Sequence, residues 1–203
     1  INQSTIRYHS SSGIKTESYN SSNSTVTLKI TNNTISNNIN SSDDGGGIKL
    51  YGQGTAIVSG NTISDNIASS GGAGISGYFY KPGSPFGTTI SGNTIENNKS
   101  GRYQDWGDRV EFWSEGEGGG IKSSGQILNN VIKGNSARQG GGIAGGGTVT
   151  GNTIIGNTAT EYKGGGIYVQ SGSNTVSDNY IRGGVYIERG NPAITGNIIE
   201  GTL

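Results

Sequence analysis

Residues 151–157 read GNTIIGN, and close copies of this phrase recur along the chain. The shared pattern is Asn-x-Ile-x-x-Asn, and its clear copies are at 33–38, 61–66, 93–98, 130–135 and 152–157. Weaker copies begin at Asn179 and Asn197, and successive copies start 18 to 37 residues apart. Repetition of this kind is typical of repeat architectures, and the uneven spacing predicts units that carry insertions.

A second phrase alternates with the first. It is Gly-Gly-Gly-Ile or a close variant, and it occurs at 45–48, 72–75, 118–121, 140–143 and 164–167. Runs such as TVTLKI and GGIYVQ alternate apolar and polar residues and end at Gly, Asn or Ser, which predicts short strands. The units have no helical period, and Gly and Asn at this density disfavour helices. Two or three short strands in each of about seven units predict a parallel β-helix.

Each unit is expected to contribute one apolar residue to each of three core ladders. The first ladder takes the residue after the glycines, namely Ile14, Ile48, Ile75, Ile121, Ile143, Ile167 and Val185. The second takes the Ile of the Asn phrase, namely Ile35, Ile63, Ile95, Ile132, Ile154, Ile181 and Ile198. The third is predicted as Val26, Ile57, Ile90, Ile127, Val149, Val176 and Ile194. The Asn side chains are expected to hydrogen-bond to one another along the stack.

The composition limits the classes of partner. Of 203 residues 39 are Gly, only 14% are charged, and the formal net charge is zero. No basic stripe indicates nucleic-acid binding, and no apolar run approaches the ~20 residues of a membrane span. The absence of Met predicts a mature secreted chain or a piece of a longer one. The last residues, NIIEGTL, stop inside a repeat, which allows end-to-end self-association through uncapped coils.

These motifs resemble those of the right-handed parallel β-helix superfamily that includes pectate lyases. The GG[AG]I phrase paired with Ile-x-x-Asn is similar to the repeats of polymorphic outer-membrane proteins and adhesin-type surface proteins. The resemblance implies an all-β fold, one right-handed parallel β-helix of about seven coils that forms a single domain over residues 1–203. It also implies a secreted or cell-surface location. It does not decide the function, because the same fold carries lyases, hydrolases, adhesins and phage spikes.

Two insertions interrupt the repeat, at 77–87 and 99–117. The first follows a Gly-rich strand and the second precedes the same strand one coil later, so both are expected to border one groove. Aromatic and charged side chains there suit a polysaccharide or cell-surface glycan. The predicted binding residues are Tyr51, Tyr78, Tyr80, Tyr103, Trp106, Trp113, Lys49 and Lys122. The alternative is that these aromatics only pack against the side of the solenoid.

An extracellular module that binds polysaccharide or serves as an adhesive stalk is therefore the preferred function, and a polysaccharide lyase or glycoside hydrolase in the same groove is the alternative. The catalytic candidates are Asp105, Asp108, Glu111 and Lys122. Asp43 and Asp44 are candidates for a Ca²⁺ site, since carboxylate oxygens are ligands that Ca²⁺ prefers. An outward row of Thr34, Thr62, Thr94 and Thr153 is typical of ice-binding surfaces, but Val131 interrupts it.

Overall fold

The computed structural model describes residues 1–18, 26–81, 83, 87–105, 110–113, 115–170 and 174–201. The described part contains strands and no helix. The first fourteen strands are β1 Thr5–Arg7, β2 Ile14–Ser18, β3 Val26–Thr31, β4 Thr34–Ser36, β5 Ile39–Asn40, β6 Ile48–Ser59, β7 Thr62–Ser64, β8 Ile67–Ala68, β9 Ile75–Tyr80, β10 Thr88–Ser91, β11 Thr94–Glu96, β12 Lys99–Ser100, β13 Arg102–Asp105 and β14 Val110–Trp113. The others are β15 Ile121–Ser123, β16 Gln126–Leu128, β17 Val131–Lys133, β18 Ser136–Gln139, β19 Ile143–Gly145, β20 Thr148–Thr150, β21 Thr153–Ile155, β22 Thr158–Lys163, β23 Ile167–Val169, β24 Thr175–Ser177, β25 Tyr180–Arg182, β26 Val185–Ile187, β27 Ala193–Thr195 and β28 Ile198–Glu200.

The coils pass through up to four parallel sheets, which we name A, B, D and C in chain order. Sheet B stacks β1, β4, β7, β11, β17, β21, β25 and β28. Sheet D stacks β5, β8, β12, β18 and β22. Sheet A contains β3, β10, β16, β20, β24 and β27, and sheet C contains β2, β9, β15, β19, β23 and β26. The long strand β6 belongs to both A and C, so each has seven strands, as a β-helix of about seven coils requires. A full coil thus has four strands rather than the two or three that the sequence predicted.

The phrase GNTIIGN forms one edge of such a coil. Gly151 and Gly156 have φ of 69° and 61°, in the region that glycine occupies without a steric cost. They bracket β21, in which Thr153 points outward and Ile154 is fully buried. Other copies place Asn, Asp or Gly with positive φ at the same two corners. The phrase therefore encodes a corner, a strand and a second corner.

Two ladders of buried Asn side chains follow these corners. The first contains Asn33, Asn61, Asn93, Asn130, Asn152, Asn179 and Asn197. The second contains Asn38, Asn66, Asn98, Asn135 and Asn157. Each side-chain amide except that of the last Asn in each ladder donates to the Oδ1 of the Asn in the next coil at 2.8 to 3.0 Å. The predicted stacking of Asn side chains is thereby confirmed, and it satisfies polar groups that would be costly to bury alone.

The apolar core confirms the first ladder and corrects the other two. All seven predicted residues of the first ladder are paired in register and buried. In the second ladder Ile199 pairs with Ile181, while the predicted Ile198 is 64% exposed. In the third, Val58 and Ile30 replace the predicted Ile57 and Val26. The errors at Ile57 and Ile198 come from adjacent apolar residues, since a shift of one residue in a strand turns its side chain to the other face. Val26 is a different error, because it lies four residues before Ile30 in the same strand and pairs with Gly54.

The insertion at 99–117 contains an antiparallel hairpin of β13 and β14, which pair Arg102 with Trp113 and Asp105 with Val110. The hairpin is inserted in the coil between its strand of sheet D and its strand of sheet C, and β13 lies beside β8 of sheet D. The insertion at 77–87 leaves the other edge of sheet C, where β9 continues alongside β6 to Tyr80. The insertions thus border opposite edges of sheet C, the arrangement that their positions in the repeat predicted.

Candidate functional site

The outward face of sheet C, which we call the floor, consists of two rows of residues in register. The first row follows the Gly-rich phrases and contains Lys15, Lys49, Ser76, Lys122, Ala144, Tyr168 and Tyr186. The second row begins with Glu17, Tyr51 and Tyr78 in successive coils. The floor is not open along its whole length, because Ser76, Ala144 and Tyr168 are buried. An accessible part lies around Lys15, Glu17 and Tyr51, and Tyr186 is exposed at the other end of the floor.

A pocket of about 250 Å³ opens at this accessible part. Its polar lining comes from the floor and from the turn that leads into β6. The lining residues are Glu17, Asp43, Asp44, Lys49, Leu50, Tyr51, Ser76 and Tyr78. The structure therefore brings five predicted residues of the floor and turn together in one pocket, namely Asp43, Asp44, Lys49, Tyr51 and Tyr78.

Ion pairs hold the near side of the pocket. Lys49 contacts the Asp43 carboxylate and lies 3.5 Å from Glu17, which also contacts Lys15 at 2.9 Å. The hydrogen bond from Lys15 lowers the pKa of Glu17. Partial burial alone would raise the pKa of Asp43, but the bonds from Lys49 and the Asp44 N–H outweigh it, and the net pKa is lowered. Glu17 and Asp43 are therefore carboxylates with cationic partners at neutral pH.

Lys122 lies at the far side of this group of ion-paired side chains, which we call the cluster. Its Nζ lies 3.7 Å from Asp44 Oδ2 and 3.6 Å from Glu117 Oε2. The lysine reaches Asp44 by crossing Gly71 of the intervening coil. A Cβ at Gly71 would lie 2.5 Å from the Lys122 Cδ, so the absence of a side chain there makes the contact possible.

Asp44 differs from its acidic neighbours. Burial raises its pKa above the ordinary value; Lys122 opposes this effect, and Asp43 adds to it. Its Oδ1 is buried and has no hydrogen-bond partner among the described residues. A buried acceptor without a donor costs roughly 1–3 kcal/mol. Asp44 thus has one carboxylate oxygen that the described residues leave unsatisfied.

Three tyrosines lie at the pocket and beyond it. Tyr51 is 46% exposed, its neighbour Tyr78 is half-buried, and Tyr80 is 63% exposed two residues further along β9. Burial, with the charges of Asp44 and Glu117, raises the pKa of Tyr78, so its phenol stays neutral and remains a potential donor. The pocket is therefore continued by exposed aromatic surface.

A second polar group lies further along the floor. The Gln170 side-chain amide donates to both oxygens of Glu117 at 3.0 and 2.9 Å. Tyr168 donates to Glu188 at 2.5 Å, and burial followed by this bond raises the tyrosine pKa. These contacts explain why the middle of the floor is covered.

The remaining predicted residues are only partly described. Trp106 and Asp108 lie outside the described residues. For Asp105, Glu111, Tyr103 and Trp113 the backbone is described in the β13–β14 hairpin and the side chains are not. Of the catalytic candidates, Lys122 alone is therefore placed at the floor. The roles of the hairpin residues stay predictions.

The prediction of Ca²⁺ gains no structural support. Among the described residues no three His, Cys, Asp or Glu side chains lie close enough together to hold a metal ion. Asp43 and Asp44 contact Lys49 and Lys122 instead. Ca²⁺ takes six to eight oxygen ligands, and these ammonium partners compete for two of the candidate groups.

Sequence reasoning missed Glu117 as a site residue, although a signal was present. Asp44, Gly71, Glu117 and Gln139 each directly precede a Gly-rich phrase. Bridges pair Gly71 with Glu117 and Glu117 with Gln139, so these positions form one row at the edge of the floor. Alignment of the repeats at this position predicts that the acids at 44 and 117 face the same cluster.

Comparison with known proteins agrees with the fold. A family model described as "Right handed beta helix region" matches residues 12–181, which supports the predicted hand of the coil. No curated protein and no solved structure matches the chain significantly. The narrower resemblance to pectate lyases and polymorphic outer-membrane proteins stays a prediction. The described part contains no helix with the length and hydropathy of a membrane span.

Proposed function

The chain belongs to the right-handed beta helix family, and we propose that it is an extracellular module that binds polysaccharide at the pocket on the floor of sheet C. The observation that carries the proposal is that a polar pocket lies beside two exposed tyrosines, Tyr51 and Tyr80. Sugar rings present hydroxyl groups at their edges and C–H groups on their faces, which suit polar side chains and aromatic rings respectively.

The size of the pocket indicates how a polysaccharide would lie. A volume of about 250 Å³ is below the range of drug-sized ligand sites. It accommodates a single sugar residue, while neighbouring residues of the polymer would continue over exposed surface at Tyr51 and Tyr80. The parallel rod gives these groups fixed positions, so little ordering accompanies binding.

A glycan array that contains both neutral and acidic polysaccharides tests the proposal. Tyr51→Ala is expected to weaken retention about tenfold through lost ring contact. Tyr8→Ala removes an equally polar aromatic that is 72% exposed and outside the pocket, and it should have no effect. Retention of no glycan by the folded protein would contradict the proposal and favour a bare structural stalk.

Glycoside hydrolysis is a second candidate, and one observation favours it. Asp44 and Glu117 contact the same ammonium, so their nearest oxygens are within about 7 Å, compatible with the carboxylate pairs of glycosidases. Asp44, whose pKa is raised, would be the acid, and Glu117 the base or nucleophile. Release of reducing ends that is lost in both Asp44→Asn and Glu117→Gln would support it. Release that persists in both variants would contradict it.

A further inference from the structure

The charges around the pocket determine which class of glycan it accepts. Three ammonium groups border the site, and each already contacts a carboxylate. Lys15 contacts Glu17, Lys49 contacts Glu17 and Asp43, and Lys122 contacts Asp44 and Glu117. The cluster thus contains four carboxylates and three ammonium groups, so it offers no surplus positive charge to an anionic ligand.

The pocket presents a carboxylate to its ligand. Asp44 lines the pocket with a side chain that is 21% accessible, while its Oδ1 is buried and has no hydrogen-bond partner among the described residues. A sugar hydroxyl or amine can therefore donate to the accessible part of this carboxylate, at Oδ2. A uronate carboxylate brings only acceptors and a like charge, which is unfavourable beside a partly buried Asp.

From the excess of carboxylates and the paired lysines together, we propose that the pocket is selective for glycan residues without anionic groups, and that Asp44 is the residue that determines this selectivity. The inference rests on the proposed function, since it names the class of glycan that the same site binds. It also makes lyase chemistry unexpected here, because that reaction removes a proton next to a uronate carboxyl group.

Affinity electrophoresis tests the selectivity. The probes are gels that contain galactomannan, xyloglucan or hydroxyethylcellulose, which are uncharged, and gels that contain polygalacturonate or alginate. We expect retardation by at least one uncharged polymer and at least tenfold weaker retardation by both uronate polymers. Equal or stronger retardation by a uronate polymer would overturn the inference while leaving polysaccharide binding intact. Failure of all five polymers to retard the protein would count against the proposed function itself, and the inference would fall with it.

Variants test the role of Asp44. Asp44→Asn keeps the shape but loses the charge, and we expect about tenfold weaker binding of the uncharged polymer, because a hydrogen bond to a charged group is lost. The same variant should bind the uronate polymers better than the wild type. Asp65→Asn is the matched control, since Asp65 is exposed at a corner with φ of 55°, a conformation that Asn tolerates. Unchanged binding of the uncharged polymer by Asp44→Asn would overturn the assignment.

Discussion

The Lys122 ammonium lies 3.7 Å from the Asp44 carboxylate, although a complete coil separates the two residues in the stack. The contact exists because Gly71 of the intervening coil has no side chain to block the lysine. Oδ1 of Asp44 has no hydrogen-bond partner in the described part of the chain. An acid that is buried this way weakens the fold, which is expected where a residue is used for binding rather than for stability.

The first prediction concerns the stability cost of Asp44. Asp44→Asn should raise the free energy of unfolding by about 0.5–1 kcal/mol, because it removes a partly buried charge while Lys122 keeps Glu117 as a partner. Asp43→Asn is the comparison, and it should lower stability by up to about 0.5 kcal/mol through loss of a half-exposed ion pair. Urea denaturation followed by circular dichroism measures both. A larger loss of stability in Asp44→Asn than in Asp43→Asn would mean that Asp44 is a structural partner of Lys122.

The pH dependence of this difference is a second prediction. The pKa of Asp44 is higher in the folded than in the unfolded chain, so the folded state holds the proton more tightly. The cost of its charge is therefore present above the folded pKa and is lost as the pH falls through that value. The advantage of Asp44→Asn should be largest near pH 7 and should vanish near the ordinary pKa of 3.8. An advantage that is constant between pH 4 and 7, measured by denaturation at each pH, would contradict the raised pKa.

The Asn ladder yields a third prediction. The Asn93 amide donates to Val58 O, Ser91 O and Asn130 Oδ1, and its Oδ1 accepts from the backbone and side chain of Asn61. Asn93→Ala should cost about 3 kcal/mol, since several buried groups lose their partners together. Asn97→Gly alters an exposed corner residue with φ of 56° and should change stability by less than about 0.5 kcal/mol. Thermal denaturation compares the two, and equal effects would contradict the importance of the ladder.

A fourth prediction concerns the corners of the coil. Gly151→Ala and Gly92→Ala both place Ala at positive φ, which costs about 1–2 kcal/mol. A Cβ at Gly151 would also lie 2.2 Å from Asn129 Oδ1, whereas nothing lies within 4 Å of a Cβ at Gly92. Gly151→Ala should therefore have the lower melting temperature of the two. The reverse order would show that the Asn129 side chain does not restrict the neighbouring corner at Gly151.

The repeat made the fold predictable, and adjacent apolar residues account for the errors at Ile57 and Ile198. Alternation cannot choose between Ile57 and Val58 or between Ile198 and Ile199, because both members of each pair are apolar. The Asn ladder removes the ambiguity. The buried residue of sheet A stands three positions before the ladder Asn, as in Val58 and Asn61, and that of sheet B two positions after it, as in Asn197 and Ile199.

The site was only partly predictable. The register of the floor follows from the repeat, so Lys49, Tyr51 and Tyr78 were placed correctly relative to one another. The contact of Lys122 with Asp44 depends on how far a flexible side chain extends across Gly71, which no repeat pattern encodes. The same limit applies to Ser76 and Tyr168, which occupy outward positions and yet are buried by neighbouring side chains.

The most direct test of the account is to locate a bound glycan. Tyrosines labelled with ¹³C can be observed by NMR while an oligomer of the best-retained uncharged polysaccharide is added to the folded protein. The account predicts shifts of Tyr51 and Tyr78 at the pocket, and none at Tyr180 on the outward face of sheet B. Shifts at Tyr180 with Tyr51 and Tyr78 unchanged would place the binding surface elsewhere and contradict the central claim.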